Sequence, residues 1–137
     1  MNNEVAPDID HNNAAVIGVS ISGEPASYTF SVTVASPDTG CTQYADWWEV
    51  LRADGSLVYR RILAHSHVNE QPFTRSGGPV EVIDNETIIV RAHMNTIGYG
   101  EQVFSGSILE GLTRDTIESS FMEELAFVDP LPADCAF

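Results

Sequence analysis

The chain contains no lysine. Its six basic residues are all arginine, set against 20 acids for a net charge of −14. A chain this negative repels phosphate backbones, so nucleic acid is excluded as a partner, and self-repulsion favours solubility. Acid excess of this kind also suits a saline setting. No apolar run approaches the roughly 18 residues of a membrane span, so no transmembrane segment is expected. The start, Met1-Asn2-Asn3-Glu4, lacks a basic stretch followed by an apolar one and does not read as a signal peptide. Cysteine is scarce: only Cys41 and Cys135 occur. The pair is expected to form one disulfide, because Cys41 sits beside Gly40 in a turn and Cys135 follows Pro130 and Pro132 in a tail with little else to hold it. Closing so long a loop stabilises by about 4–5 kcal/mol in the chain-entropy picture and implies an oxidising compartment. The alternative is two separate buried thiols. With the disulfide, the chain reads as secreted or periplasmic, and the leader or lipoprotein segment that export needs is expected to lie outside this sequence.

What is present is concentrated in the middle. The stretch from Tyr44 to Arg75 holds both tryptophans, four of the arginines and two of the four histidines. Residues 1–40 carry five acids and no base, whereas 41–95 set five arginines among seven acids, so these arginines are expected mainly as ion-pair partners. At 137 residues the chain suits one domain with one core. Residues 1–13 read as a flexible polar arm, with the domain running from 14 to 137. Asp8-Ile9-Asp10 begins like a calcium loop, but Asn13 stands where glycine is needed and Val19 where glutamate is needed.

The periodicity is that of strands. Tyr28, Phe30, Val32 and Val34 alternate with Thr29, Ser31 and Thr33, the pattern of a half-buried strand. Similar apolar segments cover 14–22, 45–52, 57–63, 80–83, 87–94 and 102–109, separated by Gly, Pro, Asn and Asp. About seven short strands with turns every 8–12 residues predict an all-β, immunoglobulin- or fibronectin-III-like sandwich. Gln71 to Pro79 reads as a loop. Asp115-Thr116-Ile117-Glu118 resembles a helix capping box, and Ile117, Phe121, Met122 and Leu125 keep to one helical face, so a short C-terminal helix is expected over 116–126, with a C-terminal strand or an irregular tail as the alternative. Asp54-Gly55 marks a hairpin turn that sets Glu49 opposite Arg60 and Trp48 opposite Arg61, an ion pair and a cation–π contact. Trp47 and Trp48 must point to opposite faces of their strand; one should enter the core, the other be exposed or covered by a loop.

Two candidate sites follow. His65 and His67, at i and i+2 on extended chain, can turn both rings to one ion. In an immunoglobulin-like sheet the ends of the strands flanking the tryptophan strand would bring His93 and Met94 to the same pole as Tyr44 and Asp46. The metal set is therefore His65, His67, His93 and Asp46, suited to copper or zinc. The second candidate is a saccharide- or protein-binding surface on Tyr44, Trp47, Trp48, Tyr99 and Arg75, with an exposed tryptophan stacking on the ligand. No nucleophile elbow or other catalytic constellation is present, and a carboxylate pair drawn from 20 acids is expected by chance.

The runs Asp38-Thr39-Gly40, Tyr44-Ala45-Asp46, Trp48-x-Val50 and Arg61-x-Leu63-x-His65-x-His67 carry a resemblance. Glu70-Gln71-Pro72-Phe73-Thr74-Arg75 and Gly98-Tyr99-Gly100 extend it. Over about 30–105 the chain resembles a family of small bacterial secreted or periplasmic domains of no established activity. That family often has Trp, Asp and His where this chain has Cys41, Thr42 and Gln43, proline at Ser66 and histidine at Ile97. If a family site used those histidines, this chain has lost two ligands. The reading that results is a non-catalytic secreted or periplasmic binding module, with copper or zinc at a histidine-rich pole or, instead, a saccharide or protein on an exposed tryptophan.

Overall fold

The computed structural model describes residues 11–137, so most of the expected N-terminal arm, with Asp8 and Asp10, lies outside the described residues. Two antiparallel sheets face each other. The first holds β1 (Ala15–Glu24), β2 (Ser27–Ala35) and β5 (Phe73–Val80) in the order β1-β2-β5. The second runs β4 (Leu57–Ile62), β3 (Ala45–Arg52), β6 (Ile88–Met94), β8 (Gln102–Gly106) and β9 (Thr113–Thr116), with the two-residue β7 (Gly98–Tyr99) also paired to β6. This is the expected immunoglobulin/fibronectin-like sandwich. Phe30, Val32 and Val34 from the first sheet meet Trp48, Val50, Val90 and Ala92 from the second in a continuous apolar core. The alternation read along β2 is the one observed. No described helix is long and apolar enough to cross a membrane.

Several segments differ from the sequence reading: 81–83 and 107–109, expected in strands, lie outside any strand, and Gly98–Tyr99 pairs with β6, while two differences bear on the site. Residues 73–80 form a strand, not a loop, despite Gly77, Gly78 and Pro79. β5 lies at the sheet edge and pairs only with β2, where a proline removes no essential ladder donor. Gly77 is needed for packing: a Cβ there would lie 2.6 Å from the Tyr59 hydroxyl.

The expected helix over 116–126 is absent. Thr113–Thr116 extends the second sheet, and only a 3-10 turn forms, at Glu123–Phe127. The physical reason lies outside the segment. Arg91 donates to the carbonyls of Phe121 and Met122, and Arg60 donates to those of Leu125, Val128 and Pro130. Carbonyls that a helix would pair internally are satisfied by side chains of the sheet. The tail therefore lies across the outer face of β4, β3 and β6, and its end is tied by the expected disulfide, Cys41–Cys135, which spans 94 positions.

Candidate functional site

The tail covers a face that is unusually charged for a buried one. β3 is central, and its Glu49 is in register with Arg60 of β4 on one side and Arg91 of β6 on the other. Arg60 reaches one Glu49 carboxylate oxygen at 2.7 Å and Arg91 the other at 2.8 Å, and all three side chains are fully buried. The expected Glu49–Arg60 pair is thus present as half of a three-residue cluster. The expected Trp48–Arg61 contact is not. Arg61 donates to the Ser76 and Ile62 carbonyls, while Trp48 faces the core beside Tyr59. The cation–π contact falls one position away, with the Arg60 guanidinium 4.1 Å from the Trp47 ring, because Trp47 shares a face with Glu49. Arg91 lies 3.4 Å from the Tyr99 ring. Burial, followed by the Glu49 charge, pushes the Tyr99 hydroxyl up to about 12.

Neither tryptophan is exposed: Trp47 keeps 2% of its surface and Trp48 none. The stacking platform expected for a saccharide is therefore not available on either. Trp47 is covered by Arg60 on the sheet and by His93, whose ring stacks on it at 3.9 Å with an interplanar angle of 1°.

The same corner opens into a groove of roughly 580 Å³ between the tail and the β6–β7 connection. Asp46, Trp47 and His93 lie in its floor; Ile97, Phe127 and Leu131 stand at its rim. Asp46 reaches it because the β3–β6 register shifts between Ala45 and Trp47. Strict alternation would turn Asp46 to the core side with Trp48, and the bulge re-aims it. His93 Nδ1 is 2.7 Å from Asp46 Oδ1. A carboxylate only accepts, so Nδ1 donates; Nε2 is then an acceptor in the neutral ring and a second donor in the protonated one. Among the described residues nothing is hydrogen-bonded to that Nε2. Such a dyad can hold or accept a proton at Nε2, but no serine or cysteine side chain among the described residues is bonded to it.

His65 and His67 form a separate cluster. Their rings lie 4.5 Å apart, His65 stacks on Phe137, and its Nδ1 meets the Ser66 carbonyl at 2.8 Å. His67 is buried and stacks on Phe73 at 3.8 Å, and neither of its ring nitrogens has a hydrogen-bond partner. Burial, followed by the charge of Arg75, holds its ring below the usual histidine range. The set His65, His67, His93 and Asp46 is therefore not brought to one point. Chain reversal after β4 sends His65 and His67 toward Phe73, while the β3 bulge commits Asp46 to His93. Among the described residues no group of three or more His, Cys, Asp or Glu side chains could hold a metal ion.

The remaining predicted residues scatter. Tyr44 is buried, and its backbone pairs with Asn95. Its hydroxyl is held above the usual range by burial and then by Asp46 and Asp38. Arg75 pairs with Glu70 at 3.0 Å near His67. Arg91 is an ion-pair partner, as expected of the central arginines, but its partner Glu49 was not foreseen; Arg91 lies two positions from His93 and hence on its face. Sequence reasoning missed Phe127, Leu131 and Ile97, because nothing local marks a tail residue as the rim of a groove.

No family model matches the chain, and no solved structure matches it significantly. It is similar to a protein of Halomicrobium mukohataei described as "Putative lipoprotein", at 38% identity over 109 residues, covering 78% of this chain and 53% of that protein. The chain thus spans about half the length of the curated relative it matches.

Proposed function

We propose that this chain is a non-catalytic binding module of an extracytoplasmic, lipoprotein-like protein, and that the groove beside the C-terminal tail receives its ligand. The disulfide supports an oxidising compartment, and the lipoprotein description of the relative agrees with it. One observation carries the choice of site. The groove joins exposed apolar side chains at its rim to a histidine in its floor, His93, whose ring is oriented by Asp46. Apolar walls with one or a few fixed polar groups are the usual make-up of a ligand site.

Trp47 in the groove floor serves as the probe. Its emission should shift saturably when an apolar or peptide ligand library contains a binder, and Phe127→Ala should abolish the shift. No saturable shift with any class of ligand sinks the reading.

A second reading places copper or zinc between His65 and His67, favoured by the two unpartnered ring nitrogens of His67. Native mass spectrometry with Cu(II) and Zn(II) decides it. One tightly held ion that His65→Ala/His67→Ala loses supports the site, and no stoichiometric ion removes it.

A further inference from the structure

We infer that the occupant of this groove is a peptide segment that sets a cationic side chain beside a bulky apolar one; the inference rests on the groove being the ligand site. Three observations combine. The rim is apolar and open: Phe127 keeps 85% of its surface, Ile97 47% and Leu131 41%. Isolated exposed apolar residues are ordinary, but three around one concave site mark an interaction surface. The surroundings are uniformly acidic. Glu123 lines the groove, and residues 117–137 carry Glu118, Glu123, Glu124, Asp129 and Asp134 with no basic residue. The two cations nearby, Arg60 and Arg91, are buried and committed to Glu49 and to tail carbonyls, so they present no charge to an incoming ligand.

The floor supplies the third part. Asp46 orients the His93 ring through Nδ1, so that Nε2 of the neutral ring offers an acceptor. A ligand group that donates a hydrogen bond and carries positive charge satisfies both that atom and the acidic rim. An anionic group is repelled by that rim. Apolar anchoring at Phe127, Ile97 and Leu131 with a cation aimed at His93 and Glu123 fits a side chain such as lysine flanked by phenylalanine or leucine. Steering by the acidic chain would raise the encounter rate for such a segment and make it salt-sensitive.

The test uses the disulfide-bonded chain and three blocked tripeptides, acetyl-Phe-Lys-Phe-amide and its Gln- and Glu-centred analogues. Binding is measured by titration calorimetry, with amide shifts in ¹⁵N spectra to locate it. The lysine peptide should bind at least tenfold more tightly than the glutamine peptide in 50 mM salt. Shifts should fall at Ile97, Gly98 and Phe127, and the glutamate peptide should not bind. That advantage should shrink in 0.5 M salt and in Glu123→Gln. Phe127→Ala, a change at an exposed side chain, should weaken both binding peptides. Equal affinity for lysine and glutamine peptides, lost in Phe127→Ala, overturns the cationic preference and leaves the groove as a site. Lysine-peptide binding that Phe127→Ala does not alter overturns the inference as mere attraction to an acidic surface. No binding by any of the three overturns the inference, and the Trp47 ligand screen above then judges the groove separately.

Discussion

Removing the Glu49 carboxylate would leave two buried guanidiniums facing each other without a counter-charge. Breaking one partner of a buried ionic cluster typically costs about 3–5 kcal/mol, because the stranded charges stay desolvated. Glu49→Ala should lower the unfolding free energy by that order in urea titrations; a loss below about 1 kcal/mol would mean that the tail carbonyls alone sustain both arginines. His67 poses the opposite problem, a ring kept neutral by burial. Its folded pKa lies below the unfolded value, so between the two the unfolded state binds more protons and stability falls as pH drops below about 6.5, by at most about 1.4 kcal/mol per pH unit for this one group. Comparing unfolding at pH 7.5 and 5.5 checks it. His67→Phe, which keeps the stack on Phe73 and the backbone bond to Asp38, should remove that part of the pH dependence and leave the protein no less stable at pH 5.5.

The tail is the element whose conformation belongs least to its own sequence. Its residues have helical spacing and a capping box, yet it runs mostly without regular structure because Arg60 and Arg91 take its carbonyls. The disulfide and the arginine contacts hold it at different points, and they should be separable. Cys41→Ala/Cys135→Ala should lower stability by up to about 4–5 kcal/mol on the loop-entropy estimate. Limited proteolysis of that variant should cut first between 131 and 135, past the last carbonyl held by Arg60, at Pro130, and before the contacts of residues 136 and 137 to 64 and 66. Cleavage that instead begins within β3 or β6 would show that the disulfide, not the arginines, keeps the tail on the sheet. A tighter constraint appears at Gly100, where a Cβ would lie 1.7 Å from the Ala14 carbonyl oxygen. Gly100→Ala must part the first strand from the β7–β8 turn and should lower the thermal midpoint more than Gly111→Ala, which meets no neighbour within 4 Å and carries only the strain of its own positive φ.

At the scale of the whole molecule, a net charge of −14 on 137 residues makes long-range repulsion a general destabilising term. Screening shortens its range from about 10 Å at 0.1 M salt to about 3 Å at 1 M. The thermal midpoint should therefore rise with sodium chloride over that interval; a flat or falling midpoint would mean that buried pairs such as Glu49–Arg60 outweigh surface repulsion. The same scale separates what was legible in the chain from what was not. Alternation in β2, the Asp54-Gly55 turn and the spacing of breakers determined a sandwich of short strands, because strand period and turn stereochemistry are local properties. The Glu49–Arg60 pair was legible for the same reason: a hairpin fixes its own register. The cysteine pair was legible because only two cysteines exist. Tertiary structure alone decided the rest. Which tryptophan enters the core, that Glu49 serves two arginines, and that Asp46 turns to His93 rather than to His65 and His67 all depend on strands distant in sequence and on one bulge. The groove exists because a charged face of the sheet captures a tail by its backbone carbonyls. Every residue has such carbonyls, so no pattern of side chains in the tail announces it.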